Sequence, residues 1–342
     1  MENLKKWRKA LELTISVCLI WLIISQIKSS VWINLLSSAR IIYVIPAVVI
    51  FLLMNFINAY KWQLIAHSMG IPTGYGKAFR YYMVGIFMNT ILVGGAGEIK
   101  RTCDLSRDNQ EYLASFMSVI MERWTGFCAL LLTAIIGLYI QYPNYHHTIF
   151  PGVLAIITIS GIAVSALLFG SFRNISVLSR FERLKSFVEN YEKLSDSLNR
   201  NRGLFIKALL ISLPQPILSI LYFYLLSLSL SINFPLQVFL FTVPFILIIT
   251  TIPISIAGIG VQETCIINVF APLSLSLEAV FSLSILSHIG KVASCLWGAC
   301  YYFMINESVK KREKELSDCA DTLEPKPIPA QSIAAGESAV TP

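Results

Sequence analysis

The sequence predicts an all-α integral membrane protein, and three observations carry that prediction. Of its 342 residues, 55% are hydrophobic and only 14% are charged, against about 25% charged in an ordinary soluble domain. Apolar runs of membrane-spanning length recur from residue 11 to residue 305, leaving no stretch for a soluble catalytic domain of usual size. The positive residues gather in a few segments between those runs, as they do in the cytoplasmic loops of membrane proteins.

A transmembrane helix needs roughly 20 mostly apolar residues. Residues 11–27, 41–59, 112–140, 149–170, 204–231 and 277–305 fit that description. The first follows a basic start, "MENLKKWRKA", as a signal peptide would. Its apolar stretch is long and lacks a small-residue cleavage motif, so a retained signal-anchor helix is the expectation. Two further runs are awkward. Residues 78–93 stop in Gly94-Gly95-Ala96-Gly97, and residues 236–252 run into "PISIAGIGVQE". Beyond that second glycine pair, residues 261–270 are apolar again but too short to span, and Pro272 ends them.

Charge then orients the chain. Lys5, Lys6, Arg8 and Lys9 place the N-terminus in the cytoplasm, and Lys310, Lys311, Arg312 and Lys314 place the tail there. Residues 171–207 hold eight Lys and Arg and belong on the same side, whereas residues 141–148 and 231–235 hold none and suit the outer face. A full crossing by residues 78–93 would put the basic segment 171–207 outside. A re-entrant hairpin that enters from the cytoplasm, turns at the glycines and returns keeps every loop on its expected side. The same count makes residues 236–270 a hairpin entering from the outer face. The expectation is therefore about six full spans plus two opposed re-entrant helical hairpins, or about eight spans by simple hydropathy. Residues 1–307 form the polytopic membrane domain, and residues 308–342 form a basic and then disordered cytoplasmic tail, Pro-, Ser- and Ala-rich at its end. Within the domain, residues 171–203 form a cytoplasmic segment, in which residues 181–199 carry apolar side chains at helical spacing and suit the inner membrane surface.

Broken backbone inside a bilayer is tolerated only where protein or a polar cavity satisfies the freed groups. A half-helix starting after such a turn points unpaired N–H groups and the positive end of its dipole into the membrane. Gly97-Glu98 and Gly260-Val261 are expected to begin two such half-helices, which opposed hairpins would bring toward the midplane, where broken helices build transport sites. Simple interhelical loops with turn glycines are the alternative.

The charges sharpen the expectation. Glu98 and Arg101 share a helical face by their spacing of three. Glu122-Arg123 lies about ten residues into the run 112–140, roughly 15 Å deep at 1.5 Å per residue. Adjacent helical residues diverge by about 100°, so the two need separate partners, and Arg101 with Glu122 or Glu98 with Arg123 are sensible pairs. Intramembrane charges mark substrate or ion paths when they are not simply paired, and arginine recognises phosphate bidentately. Glu263 falls in the first turn of residues 261–270, where it either caps the helix or joins the site. His288 and Lys291 share a face of the last span, and Lys291 needs a partner such as Glu263 unless it snorkels. Arg101, Arg123, Gly97, Gly260 and Lys291 are the candidate substrate contacts; Glu98, Glu122 and Glu263 are the candidate charge-pairing or ion-coupling groups.

Other chemistry finds no support. Seven cysteines occur singly, with no CxxC pair, so neither a zinc site nor a disulfide framework is expected. "GGAGEI" lacks the preceding strand and third glycine of a dinucleotide loop. His146-His147 has no further ligand nearby, and no nucleophile motif is present. No metal, cofactor, nucleic-acid partner or catalytic residue is expected.

"NTILVGGAGEIKR", then "MERWTG" in the next span, then "PISIAGIGVQET" near the end together resemble the flippase-like family, also called the lysylphosphatidylglycerol synthase transmembrane region. The resemblance covers about residues 11–302. It implies that Glu98, Arg101, Glu122, Arg123 and Glu263 match the family's motif residues, and that the domain moves a lipid between leaflets. The expectation is a stand-alone member without the soluble synthase domain, so lipid lysylation is not implied.

Combined, these features lead to an expected flippase of the cell membrane, multi-pass with both termini cytoplasmic, acting on a phospholipid or a polyprenyl-phosphate-linked glycolipid. A membrane lipid with an anionic headgroup is the expected partner, with a glycosyltransferase or envelope-assembly enzyme as a second. A membrane-embedded transferase on a polyprenyl-phosphate lipid, and a scaffold for a cell-envelope enzyme, are the alternatives.

Overall fold

The structure is a computed structural model that describes residues 34, 36–91, 95–169, 202–251, 260–273 and 276–323. The expected first span at residues 11–27, the amphipathic segment 181–199 and the far tail lie outside those residues. Helices occupy nearly all of what is described, with no strand among the described residues. Four stretches are long and apolar enough to cross a membrane: Ile41–Ser68, Tyr112–Tyr145, Gly203–Ser229 and Leu277–Met304. The protein is therefore an all-α, multi-pass membrane protein. By contact the chain divides into two units, Met1–Ala299 and Cys300–Pro342, and the packing below belongs to the first.

α1 (Ile41–Ser68) runs nine residues past its expected end at residue 59. Hydropathy falls where Lys61, Gln63 and His67 begin, but the hydrogen-bond ladder continues because Lys61 and Trp62 are buried rather than solvated. The helix stops at Gly70, whose φ of +83° lets Ile71 N–H reach back to Ala66 O at 2.9 Å, the left-handed glycine termination that only a residue without Cβ adopts readily.

α2 (Tyr75–Ile91) and α3 (Ala96–Asn109) form the first hairpin. At 17 and 14 residues they are about 26 and 21 Å long, each shorter than the roughly 30 Å hydrocarbon core. Gly95 sits between them at φ +79°. Gly97 is needed for a different reason than the expected turn. A Cβ there would lie 2.0 Å from Gly85 O and 2.7 Å from Asn89 Oδ1, so the two helices touch backbone to backbone.

α4 (Tyr112–Tyr145) is 34 residues long and is the central element, packed on α1, on α3 and on helices that follow. After α5 (Phe150–Phe169), the expected span at residues 204–231 is two helices, α6 (Arg202–Ser212) and α7 (Pro214–Ser229). Pro214 cannot supply an N–H to the ladder and suits the first helical turn, so the chain restarts there. α8 (Leu236–Thr250) lies against α4, closest where a Cβ on Gly137 would come within 2.2 Å of Leu240 O. α9 (Val261–Phe270) starts at Gly260, φ +86°, and a 3-10 turn, Ala271–Leu273, ends it at the predicted Pro272. α10 (Leu277–Leu323) closes the described chain.

The surface pattern is that of a protein in lipid. Ile41, Ile42, Ile45 and Val49 on α1 and Ile156, Ile159 and Ile162 on α5 face outward, while Lys61, Arg101, Glu122 and Glu263 are buried. A soluble fold would invert that arrangement.

Candidate functional site: two clusters of buried charge

The candidate residues fall into two clusters. The larger stands where α1, α2, α3 and α4 meet. Glu122, in the first third of α4, accepts from two cations: Lys61 Nζ lies 3.2 Å from its Oε1 and Arg101 Nη2 3.2 Å from its Oε2. All three side chains are nearly inaccessible, at 1% for Lys61, 2% for Arg101 and 5% for Glu122. The Arg101 guanidinium lies over the rings of Trp62, 5.1 Å from its centroid, and Tyr82, 4.9 Å away, a cation–π arrangement that suits a weakly hydrated planar ion. Trp62 is itself fixed by its Nε1–H donating to Ser118 Oγ at 3.1 Å.

Arg123 occupies the edge of this cluster. It pairs with Glu98 Oε1 and lies 3.9 Å from Glu122 Oε2, yet its side chain is 49% exposed. Both expected pairings, Arg101 with Glu122 and Arg123 with Glu98, are thus present together. Asn89, near the end of α2, ties the hairpin to this edge: its Nδ2 donates to Glu98 Oε1 at 3.1 Å and its Oδ1 accepts Gly97 N–H at 2.8 Å. The Gly97 N–H, expected to face a ligand, is therefore occupied within the protein, and Gly97 acts by allowing close helix approach. Arg101 Nη1 and Glu98 Oε2 are buried and have no hydrogen-bond partner.

Three cations (Lys61, Arg101, Arg123) face two carboxylates (Glu98, Glu122), leaving one positive charge uncompensated. Lys100 and Asp104, next along α3, neutralise each other at 2.5 Å. An uncompensated charge in a low-dielectric interior is costly unless something pairs with it.

The second cluster joins α9 to α10. Glu263 accepts the Gly260 N–H at 2.5 Å, Ser284 Oγ–H at 3.3 Å, and stands 2.7 Å from His288 Nε2. It caps its own helix and reaches α10 at the same time. As at Gly97, the Gly260 N–H is occupied. Lys291, for which Glu263 was an expected partner, donates from Nζ to Gln262 Oε1 at 2.6 Å, and Gln262 Nε2 donates to Ser287 Oγ at 2.6 Å. Tyr222 of α7 completes the set, its OH donating to Ser287 O at 2.6 Å.

Sequence reasoning missed Lys61, Asn89 and Gln262. Lys61 follows the apolar run 41–59 and reads as the first charged residue beyond a span, so the sequence alone carried no signal of its burial. Asn89 opens the stretch that carries the resemblance.

A family model described as the lysylphosphatidylglycerol synthase TM region matches residues 9–297. The chain belongs to that family. No curated protein matches it. Membership in the lysylphosphatidylglycerol synthase TM-region family points to a membrane-lipid-related function, and both charged clusters lie inside the matched residues.

Proposed function

We propose that this protein moves a lipid with a phosphate-bearing headgroup, a phospholipid or a polyprenyl-phosphate-linked glycolipid, between the leaflets of the cell membrane. The observation that supports this reading most directly is the uncompensated positive charge of the Lys61–Arg101–Arg123 cluster, with Arg123 half-exposed at its edge. Guanidinium groups bind phosphate oxygens through parallel N–H donors, and a cluster with one charge to spare attracts an anion that a neutral ion-pair network would not.

In this mechanism Arg123 meets the headgroup, Arg101 and Lys61 supply field from behind it, and Glu98 and Glu122 hold the three cations in place. Glu263, His288 and Lys291 form a second polar station for a headgroup or a coupling ion. The α2–α3 and α8–α9 pairs act as opposed re-entrant hairpins, and rocking one against the other alternates access. Both termini lie in the cytoplasm, where a glycosyltransferase or envelope-assembly enzyme delivers the lipid, and the protein itself makes no covalent bond.

Reconstitution into liposomes tests this. Labelled phosphatidylglycerol is expected to exchange between leaflets faster with the wild-type protein than in protein-free vesicles, and Arg101→Ala and Glu263→Gln are expected to lose that exchange while remaining folded. Exchange at the protein-free rate for both a phospholipid and a polyprenyl-phosphate sugar would contradict the reading.

A further inference from the structure

The charge count of the larger cluster carries more than a general liking for anions. Its three cations and two carboxylates are all formally charged groups in direct ion pairs with one another, and two further pairs on the hairpin are neutral. Lys100 pairs with Asp104, and at the outer end of the α2–α3 hairpin Lys77 pairs with Asp108 at 3.3 Å. The surplus is one positive charge. Lys61 is what creates it: without Lys61, the remaining two arginines and two glutamates would form a neutral pair of salt bridges, Arg101–Glu122 and Arg123–Glu98.

Lys61 is an expensive way to hold Glu122, which Arg101 already satisfies. Its side chain is 1% exposed, and besides Glu122 its Nζ donates to Gln215 Oε1 at 3.5 Å. Gly126 lies beside both groups, a Cβ there coming 3.4 Å from Gln215 Oε1 and from Lys61 Nζ. A second buried cation on one carboxylate is retained against its desolvation cost, which points to a role in setting charge.

We infer that Lys61 tunes the cluster to a headgroup bearing one net negative charge, a phosphodiester monoanion, and against zwitterionic, pyrophosphate and net-cationic headgroups. This rests on the translocation reading above and narrows its substrate. A monoanion at Arg123 brings the cluster to neutrality. A zwitterion leaves the surplus unmatched, a pyrophosphate leaves negative charge in excess, and a lysyl-esterified headgroup adds positive charge to positive. Phosphatidylglycerol and a polyprenyl monophosphoryl sugar share the favoured chemistry, so the two sources are separate arms of the test.

The experiment measures leaflet exchange in liposomes for five labelled lipids: phosphatidylglycerol, a polyprenyl monophosphoryl sugar, phosphatidylcholine, a polyprenyl pyrophosphoryl sugar and lysylphosphatidylglycerol. Wild type is expected to move at least one of the first two about tenfold faster than each of the last three, a tenfold step corresponding to about 1.4 kcal/mol. Which of the two moves identifies the source. Lys61→Met makes the cluster neutral and is expected to erase that ranking. The double variant Lys61→Met/Glu98→Gln restores a surplus of one while keeping the buried Arg101–Glu122 pair and releasing only the half-exposed Arg123, and is expected to bring the ranking back. Lys61→Arg, which keeps the surplus, is expected to keep the ranking. Exchange without a charge ranking, or a faster pyrophosphate or lysylated lipid, overturns the inference and leaves translocation standing. No exchange of any lipid overturns both.

Discussion

The two charged clusters solve the problem of a buried carboxylate in different ways. Glu122 is held by ions, Lys61 and Arg101, each at 3.2 Å. Glu263 is held by a backbone N–H, a serine hydroxyl and an imidazole nitrogen, between 2.5 and 3.3 Å. Ion pairing acts at longer range and leaves a net field, whereas hydrogen bonds from the Gly260 N–H and the Ser284 hydroxyl satisfy the carboxylate locally. The comparison separates a cluster whose charges do not balance from one whose carboxylate also holds a helix start against its neighbour.

The largest effect should come from breaking the ionic cluster at its hub. Glu122→Ala leaves Lys61 and Arg101 buried without their shared anion, and is expected to destabilise the protein by about 3–5 kcal/mol, read as a drop in the apparent unfolding midpoint in detergent. Next, Gly97→Ala forces a Cβ against Gly85 O and is expected to cost about 1–3 kcal/mol. It should also lower exchange by shifting Glu98 away from Arg123. Glu263→Gln keeps an acceptor for the Gly260 N–H and weakens the link to His288, at a cost of roughly 1–2 kcal/mol. If it proves as damaging to folding as Glu122→Ala, the distinction between the clusters collapses. Smallest for stability is Arg123→Ala: an ion pair this exposed contributes about 0–1 kcal/mol, so the unfolding midpoint should barely move while lipid exchange falls.

Much of this arrangement was legible in the sequence because it rests on local rules. Glu122 and Arg123 are adjacent on a helix, so they diverge and must seek partners elsewhere, and α3 begins just past the glycines with Glu98 and Arg101 at the spacing that serves both. The positive-φ glycines at 95 and 260 fall in the two glycine clusters from which the sequence expects helices to start. What stayed hidden depends on contacts far apart in the chain. Lys61 marks the end of an apolar run, and only the approach of Glu122, from three helices later, makes it a buried group. Lys291 finds Gln262 because Glu263 turns its carboxylate toward Gly260 and His288. The restart at Pro214 falls within a run that hydropathy reads as continuous.

The most direct test of the account is leaflet exchange of a phosphodiester lipid by Arg123→Ala, with the unfolding midpoint measured on the same preparation. The account predicts exchange near the protein-free rate and a midpoint close to wild type. Wild-type exchange from a fully folded Arg123→Ala protein would contradict it, because the one half-exposed cation of the cluster would then have no part in meeting the lipid.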